Sequence, residues 1–282
     1  MAVISLKNVS YQYPLEEKSV IQDISYEFEQ GKVYGLIGEN ESGKTTLCNI
    51  IRGFIPDLYR GNLTGEVLLN QKAVTEYDSG ELSAMIGYSF QNPFAQISGV
   101  KESVYEEIAY GMENIGVPRQ EMIEKVEELI RLFHLEKLKD KNPYELSGGQ
   151  KQRVALASVI ALDPQIIILD EPTSQLDPKS TEDIFEIINI LKKQGKTIIL
   201  IEHKIDLVAE YCDFILLMQH GKLELEGTVQ EVLTDPKVLE LGGQLPQVVL
   251  YFLELMKKTG KVMKEIPLTV EQAYQAIKEE QK

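Results

Sequence analysis

Eight consecutive residues carry the first sign of chemistry. Gly38-Glu39-Asn40-Glu41-Ser42-Gly43-Lys44-Thr45 fits the phosphate-binding pattern G-x-x-x-x-G-K-[ST]. Gly38 and Gly43 let the backbone curl round an anion, with loop N–H groups and the next helix N-terminus aimed at phosphate. Lys44 would set a cation against the β- and γ-phosphates, and the Thr45 hydroxyl would ligate Mg²⁺. A second group lies downstream, where Ile166-Ile167-Ile168-Leu169 runs into Asp170-Glu171. Asp170, at the end of a buried strand, is placed to hold Mg²⁺ through its water shell. Glu171 could polarise a water for in-line attack on the terminal phosphate. Alone, each group has an ordinary explanation as a glycine turn or a solvated acid pair. Together they read as a phosphoryl-transfer site.

Leu146-Ser147-Gly148-Gly149-Gln150 is the third group, and it precedes an apolar helix. Ser147 is a natural N-cap, and the glycines bare the backbone. As a cap it needs no further role. As a second anion site it would face a terminal phosphate held by another copy. One domain can hardly bring two helix N-termini to one phosphate from opposite sides.

The elements around these groups suit the task. Val33–Ile37 is a short apolar run before the glycine loop, and Thr46 to Ile51 is apolar at helical spacing after it. Val3 to Tyr13 and Val20 to Phe28 alternate as half-buried strands, with Glu66–Leu69 and Met85–Tyr88 as further short ones. From Lys101 to His134 the apolar spacing turns helical, with Pro118 between two helices. The second half alternates: strand Ile166–Leu169, helix Thr181–Leu191, strand Thr197–Ile201, helix Ile205–Tyr211, strand Phe214–Met218. That order predicts an α/β fold with a mainly parallel sheet covered by helices. Gly242-Gly243 reads as a linker to the amphipathic helices Val248–Lys258 and Val270–Lys278.

Composition sets limits. Acidic residues outnumber basic ones, 44 against 29, for a net charge of −15. That balance argues against nucleic acid as the main partner. Cys48 and Cys212 are far apart, without a C-x-x-C spacing, and read as buried reduced thiols in a cytosolic setting. The first residues lack the pattern of a signal peptide, and no apolar run approaches the ~20 residues of a membrane span. Membrane association is expected to go through a partner.

The motifs, in this order and rough spacing, resemble those of ATP-binding cassette ATPases: Gly38–Thr45, Gln91, Leu146–Gln150, Ile166–Glu171, Ser174-Gln175-Leu176-Asp177 and His203. The resemblance implies a P-loop NTPase core with an antiparallel β subdomain and an inserted helical subdomain at about 91–162. The cassette would span 1–235, with a helical extension over 236–282. It implies ATP and Mg²⁺ as cofactors, with Thr46 beside the phosphate loop. Tyr13 would stack on adenine, with Tyr11 as a possible substitute. Gln91 would touch Mg²⁺ or the attacking water and sense a membrane partner. Ser147, Gly148, Gly149 and Gln150 would meet the nucleotide held by the other subunit, and Asp177 would lie at the dimer seam. His203 would contact the γ-phosphate.

A narrower resemblance, to the ATPase subunits of energy-coupling factor transporters, rests on Phe90-Gln91-Asn92-Pro93 with Gln96, Val104 to Asn114, Gly116-Val117-Pro118 and Leu245-Pro246-Gln247-Val248-Val249. Such transporters import vitamins, or cobalt and nickel ions, in prokaryotes. The implied partners are a second ATPase subunit (the same chain or a related one), a transmembrane coupling subunit and a substrate-binding membrane subunit. The implied location is peripheral, on the cytoplasmic face of the cell membrane. A basic helix of the membrane subunit would dock beside Gln91, near Glu102, Glu106 and Glu107, so charge reversal at Glu106 and Glu107 is expected to weaken assembly. A soluble cassette acting on ribosomes or nucleic acid is the alternative. Such proteins usually carry paired cassettes, long insertions or basic surfaces, and none appears here. The chain departs from the family pattern at Glu41, where a small residue is usual, and at Glu202, where Thr is commoner and either side-chain direction is open.

Overall fold

The structure, a computed structural model, describes residues 2–260 and 262–280, with backbone alone for 279 and 280. Met1, Lys261, Gln281 and Lys282, which the sequence reading includes in its cassette and extension, lie outside the described residues. In chain order the first half forms β1 (Ala2–Gln12), β2 (Ile21–Glu29), β3 (Val33–Ile37), α1 (Lys44–Ile51), α2 (Phe54–Asp57), β4 (Asn62–Leu69), β5 (Lys72–Ala73), α3 (Ser79–Met85), β6 (Ile86–Ser89), α4 (Val104–Asn114) and α5 (Arg119–Leu132). The second half forms α6 (Gly148–Ala161), β7 (Ile166–Asp170), α7 (Pro178–Lys193), β8 (Thr197–Ile201), α8 (Ile205–Tyr211), β9 (Phe214–Gln219), β10 (Lys222–Thr228), α9 (Val229–Leu233), α10 (Lys237–Glu240), α11 (Gln247–Thr259) and α12 (Val270–Glu280).

Contacts divide the chain into two compact units, Met1–Val74 with Leu200–Lys282, and Thr75–Ile199. This cut differs from the one drawn by motifs, because the C-terminal helices fall in the first unit and most of the nucleotide-related motifs after Gln91 fall in the second.

In the first unit β1 lies between β2 and β4 in an antiparallel sheet. A separate layer pairs β3 with β9 in parallel and β9 with β10 antiparallel. Every residue of β3 is buried, as expected of a strand covered on both faces. Tyr34 of β3 stacks on Phe214, its register partner in β9, at 5.4 Å between ring centroids. Burial pushes the Tyr34 phenol up to about 12. The extension packs through Leu245, Val249 and Phe252, which are buried. Gln230 of α9 donates from Nε2 to the Ile266 carbonyl at 2.9 Å, tying down the chain before α12. The sequence reading left β10 out. Its Leu223 and Leu225 alternate with Glu224 and Glu226, and the strand is half exposed throughout.

In the second unit β6 and β7 run parallel, with every residue of both buried. Capping boxes start α4 at Ser103 with Glu106 and α6 at Ser147 with Gln150. Arrangement of α4 overturns one expectation about charge. Glu107 is 4% exposed, and its carboxylate accepts from the Ser98 N–H and the Ser98 hydroxyl, both at 2.7 Å. Glu106 caps its own helix, and Glu113 pairs with Lys101 at 2.6 Å. Of the acids named for docking, Glu107 therefore holds its own subdomain together. Reversing its charge tests folding rather than docking.

Glu107→Ala should lose ~1–3 kcal/mol of unfolding free energy, because it removes the two charge-assisted hydrogen bonds that the buried Glu107 carboxylate accepts from Ser98. Glu106→Gln keeps the capping-box acceptor and should stay within about 0.5 kcal/mol of wild type. Urea unfolding of the two variants checks this, and equal losses would remove the structural role given to Glu107.

Candidate active site

In the first unit the phosphate loop leaves β3 and enters α1. Gly38 adopts φ 140°, and its Cα faces the Met218 carbonyl, where any side chain would collide. The Gly221 N–H donates to the Ser42 carbonyl at 3.0 Å, so the turn after β9 braces the loop from behind. Lys44 is 7% exposed, and its ammonium donates to the carbonyls of Gly38 at 2.9 Å and Glu39 at 2.7 Å. The lysine is thus held at the mouth of its own loop. Glu41 takes φ 64°, a left-handed conformation that suits glycine better, and its side chain is exposed. That fits the solvated reading of its charge.

The two tyrosines differ in burial. Tyr11 is 1% exposed, its hydroxyl donates to the Arg60 carbonyl at 3.0 Å, and it belongs to the core. Tyr13 is half-buried, its ring set edge-on to Tyr11, with its hydroxyl 3.2 Å from that of Thr46. Tyr13 is the ring beside the loop. His203 is exposed, two residues past β8. Glu202 is 5% exposed and turns back, its carboxylate accepting from the His203 N–H at 2.8 Å. The direction left open by sequence is inward.

In the second unit the carboxylates sit at the end of β7. Asp170 is 5% exposed and accepts from the Tyr88 hydroxyl at 2.8 Å. Glu171 takes φ 48°, strained for a residue with a Cβ, and accepts from the Gln91 amide at 2.7 Å. Gln91 and Glu171, eighty positions apart in sequence, are brought together. The loop carrying Gln91 is shaped by Gln96, which accepts from the Phe90 N–H at 3.2 Å, and by Asn92, which caps the next turn.

Ser147 caps α6 as expected. A Cβ on Gly148 would approach Gln175 Oε1 within 2.8 Å, and one on Gly149 would approach Leu176 within 3.0 Å. The glycine pair is therefore fitted to the segment that leads into Asp177. Asp177 is the N-cap of α7, and hydrogen bonds from the backbone and hydroxyl of Ser180 hold its carboxyl below the usual range.

The sequence reading missed Tyr88 as a site residue. The available signal was its place in β6 opposite Ile168, two positions before Asp170 on the parallel neighbour. A polar-tipped aromatic near the end of a buried strand needs a partner, and the carboxylate supplies one.

The ABC transporter family profile matches residues 21–174, more than half of the chain. The chain belongs to the ATP-binding cassette family. It is 36% identical, over 93% of its length and 91% of the relative's, to an energy-coupling factor transporter ATP-binding protein of Acetivibrio thermocellus. A protein of the same description from Clostridium perfringens is 35% identical over 98% and 97% of the two chains. Among solved structures, the cbiO1 chain of Clostridium perfringens, described as part of an ABC transporter complex, superposes with a TM-score of 0.75. It is 30% identical and covers 92% of this chain and 99% of its own. A dimeric cassette in a post-hydrolysis state, bound to ADP and phosphate, superposes with a TM-score of 0.70 at 27% identity, covering 80% of this chain and 98% of its own. The protein is an ABC ATPase with a P-loop NTPase fold. Among the described residues, no helix is long and apolar enough to cross a membrane.

Glu41→Gly removes a solvated charge worth only about 1 kcal/mol at contact distance in water. The ATP dissociation constant measured by titration calorimetry should therefore move less than about fivefold. A tenfold tightening would place the Glu41 carboxylate against the phosphates.

Proposed function

We propose that this ATPase energises a prokaryotic importer of the energy-coupling factor type, for a vitamin or a transition-metal ion. The observation that carries this reading is the likeness to energy-coupling factor ATP-binding proteins along more than nine-tenths of both chains, C-terminal extension included. The chain works as a pair with a second ATPase subunit, a copy of itself or a relative. It sits peripherally on the cytoplasmic face of the membrane, against a transmembrane coupling subunit and a substrate-binding membrane subunit. ATP closes the pair, hydrolysis opens it, and the movement reaches the membrane through the Gln91 region. The acidic balance and the transporter relatives disfavour a soluble cassette on ribosomes or nucleic acid.

The roles follow from the chemistry of each group. Tyr13 stacks on adenine. Residues Gly38 to Thr46 wrap the phosphates, with Lys44 countering their charge. Thr45, Asp170 and Gln91 offer oxygen atoms only, the hard donor set that Mg²⁺ prefers. Bound there, Mg²⁺ would neutralise charge on the β- and γ-phosphates. Glu171, kept in place by the Gln91 amide, accepts a proton from the attacking water. His203 contacts the γ-phosphate. Ser147 to Gln150 close on the nucleotide of the other subunit, and Asp177 lies along the seam.

Glu171→Gln should keep ATP binding and lose ~10²–10⁴-fold in turnover, the range of a general base. With that variant, ATP should convert monomer to dimer in analytical ultracentrifugation, and adding Ser147→Arg should block the conversion. Full hydrolysis by a monomer at high dilution would overturn the two-subunit site. Co-purification of the native complex and identification of its membrane subunits tests the importer assignment itself.

A further inference from the structure

In the first unit, the segment from α10 to the start of α11 touches the phosphate loop and the first turn of α8, which follows the His203 loop. Gly242 adopts φ 72° and lies against Glu39 of the phosphate loop, so that a Cβ there would run into the Glu39 carboxylate. Five residues on, the Gln247 N–H at the start of α11 donates to Asp206 Oδ1 at 3.0 Å. Asp206 lies in the first turn of α8, three residues after His203. Its charge also suits the positive end of α11, a helix of 13 residues. Between these contacts runs a cleft of about 480 Å³, with His203 and Lys204 on one wall and Leu239, Gln244 and Leu250 on the other.

Two hydrogen bonds flank His203. Glu202 accepts the His203 N–H on one side, and Asp206 is fastened to the extension on the other. Anchoring the extension does not need Asp206, because the buried Leu245, Val249 and Phe252 already do that. An exposed carboxylate adds little to such packing, and Asp206 lies only three residues after His203.

We infer that Asp206 and Gly242 are positioning residues for ATP hydrolysis, through which the C-terminal extension sets the His203 loop and the phosphate loop relative to each other. This rests on the assignment of His203 to the γ-phosphate. Losing the hydrogen bond at Asp206 lets the loop wander and should slow the chemical step. ATP binding, which rests mainly on the phosphate loop, should survive. Crowding Glu39 at Gly242 should act on binding instead.

The test uses the full chain. Steady-state hydrolysis, binding of a fluorescent ATP analogue and thermal melting are measured for Asp206→Ala, Asp206→Asn, Gly242→Ala and His203→Ala. Asp206→Ala should lower kcat about tenfold, the weight of one charge-assisted hydrogen bond, with KM and melting temperature unchanged. Asp206→Asn keeps an acceptor oxygen and should restore most of the rate. Gly242→Ala should raise the dissociation constant of the analogue at least threefold. Wild-type kcat in Asp206→Ala overturns the inference. So does a fall in rate that only tracks a fall in melting temperature, a failure of Asn to rescue, or unchanged binding in Gly242→Ala. His203→Ala separates the two levels. If it abolishes hydrolysis while Asp206→Ala does not, the positioning role alone fails. If it leaves hydrolysis intact, the assignment of His203 fails first.

Discussion

The phosphate loop depends on backbone pressed against backbone. Gly38 has no room for a side chain because the Met218 carbonyl occupies that space, and the Gly221 N–H holds the Ser42 carbonyl from the same side. Within the loop one hydrogen bond closes, from the Ser42 N–H to the Glu39 carbonyl at 3.3 Å, and further support comes from outside it. The end of β9 supplies that support. At Glu41 the loop takes a left-handed conformation while the side chain is exposed to solvent.

The second unit solves a related problem with side chains. Two adjacent carboxylates at the end of a buried strand repel each other, and each is given its own donor. Tyr88 serves Asp170, and Gln91 serves Glu171. The two acids thus have separate partners, as the separate roles proposed for them require. Because Gln91 belongs to the loop assigned to the membrane partner, a movement of that loop would act directly on the group that holds the base.

The helical segment shows how charge can mislead. Glu102, Glu106 and Glu107 read in sequence as one acidic face offered to a basic partner. In the fold they have separate fates: Glu107 is buried on Ser98, Glu106 closes a capping box, and Glu102 stays exposed. The pattern i, i+4, i+5 cannot distinguish them, because burial of a charge is decided by which loop folds over it.

What the sequence determined alone was local or strictly periodic. The glycine loop, the buried β3 and the apolar run of β7 up to Leu169, the cap at Ser147 and the helices of the extension follow from φ preferences, side-chain periods and short-range hydrogen bonds. Edge strand β10 was equally periodic, yet its short alternation sits beside a turn and is easily read as loop. Tertiary structure decided which of two neighbouring tyrosines is core, Tyr11, and which faces the loop, Tyr13. It decided that Glu202 turns inward onto His203, that Tyr88 serves Asp170, and that the extension reaches Glu39 and Asp206. Each of these joins residues whose separation in sequence carries no information about distance, or selects between two directions that the same backbone allows. Only the packing of distant surfaces against each other makes that choice.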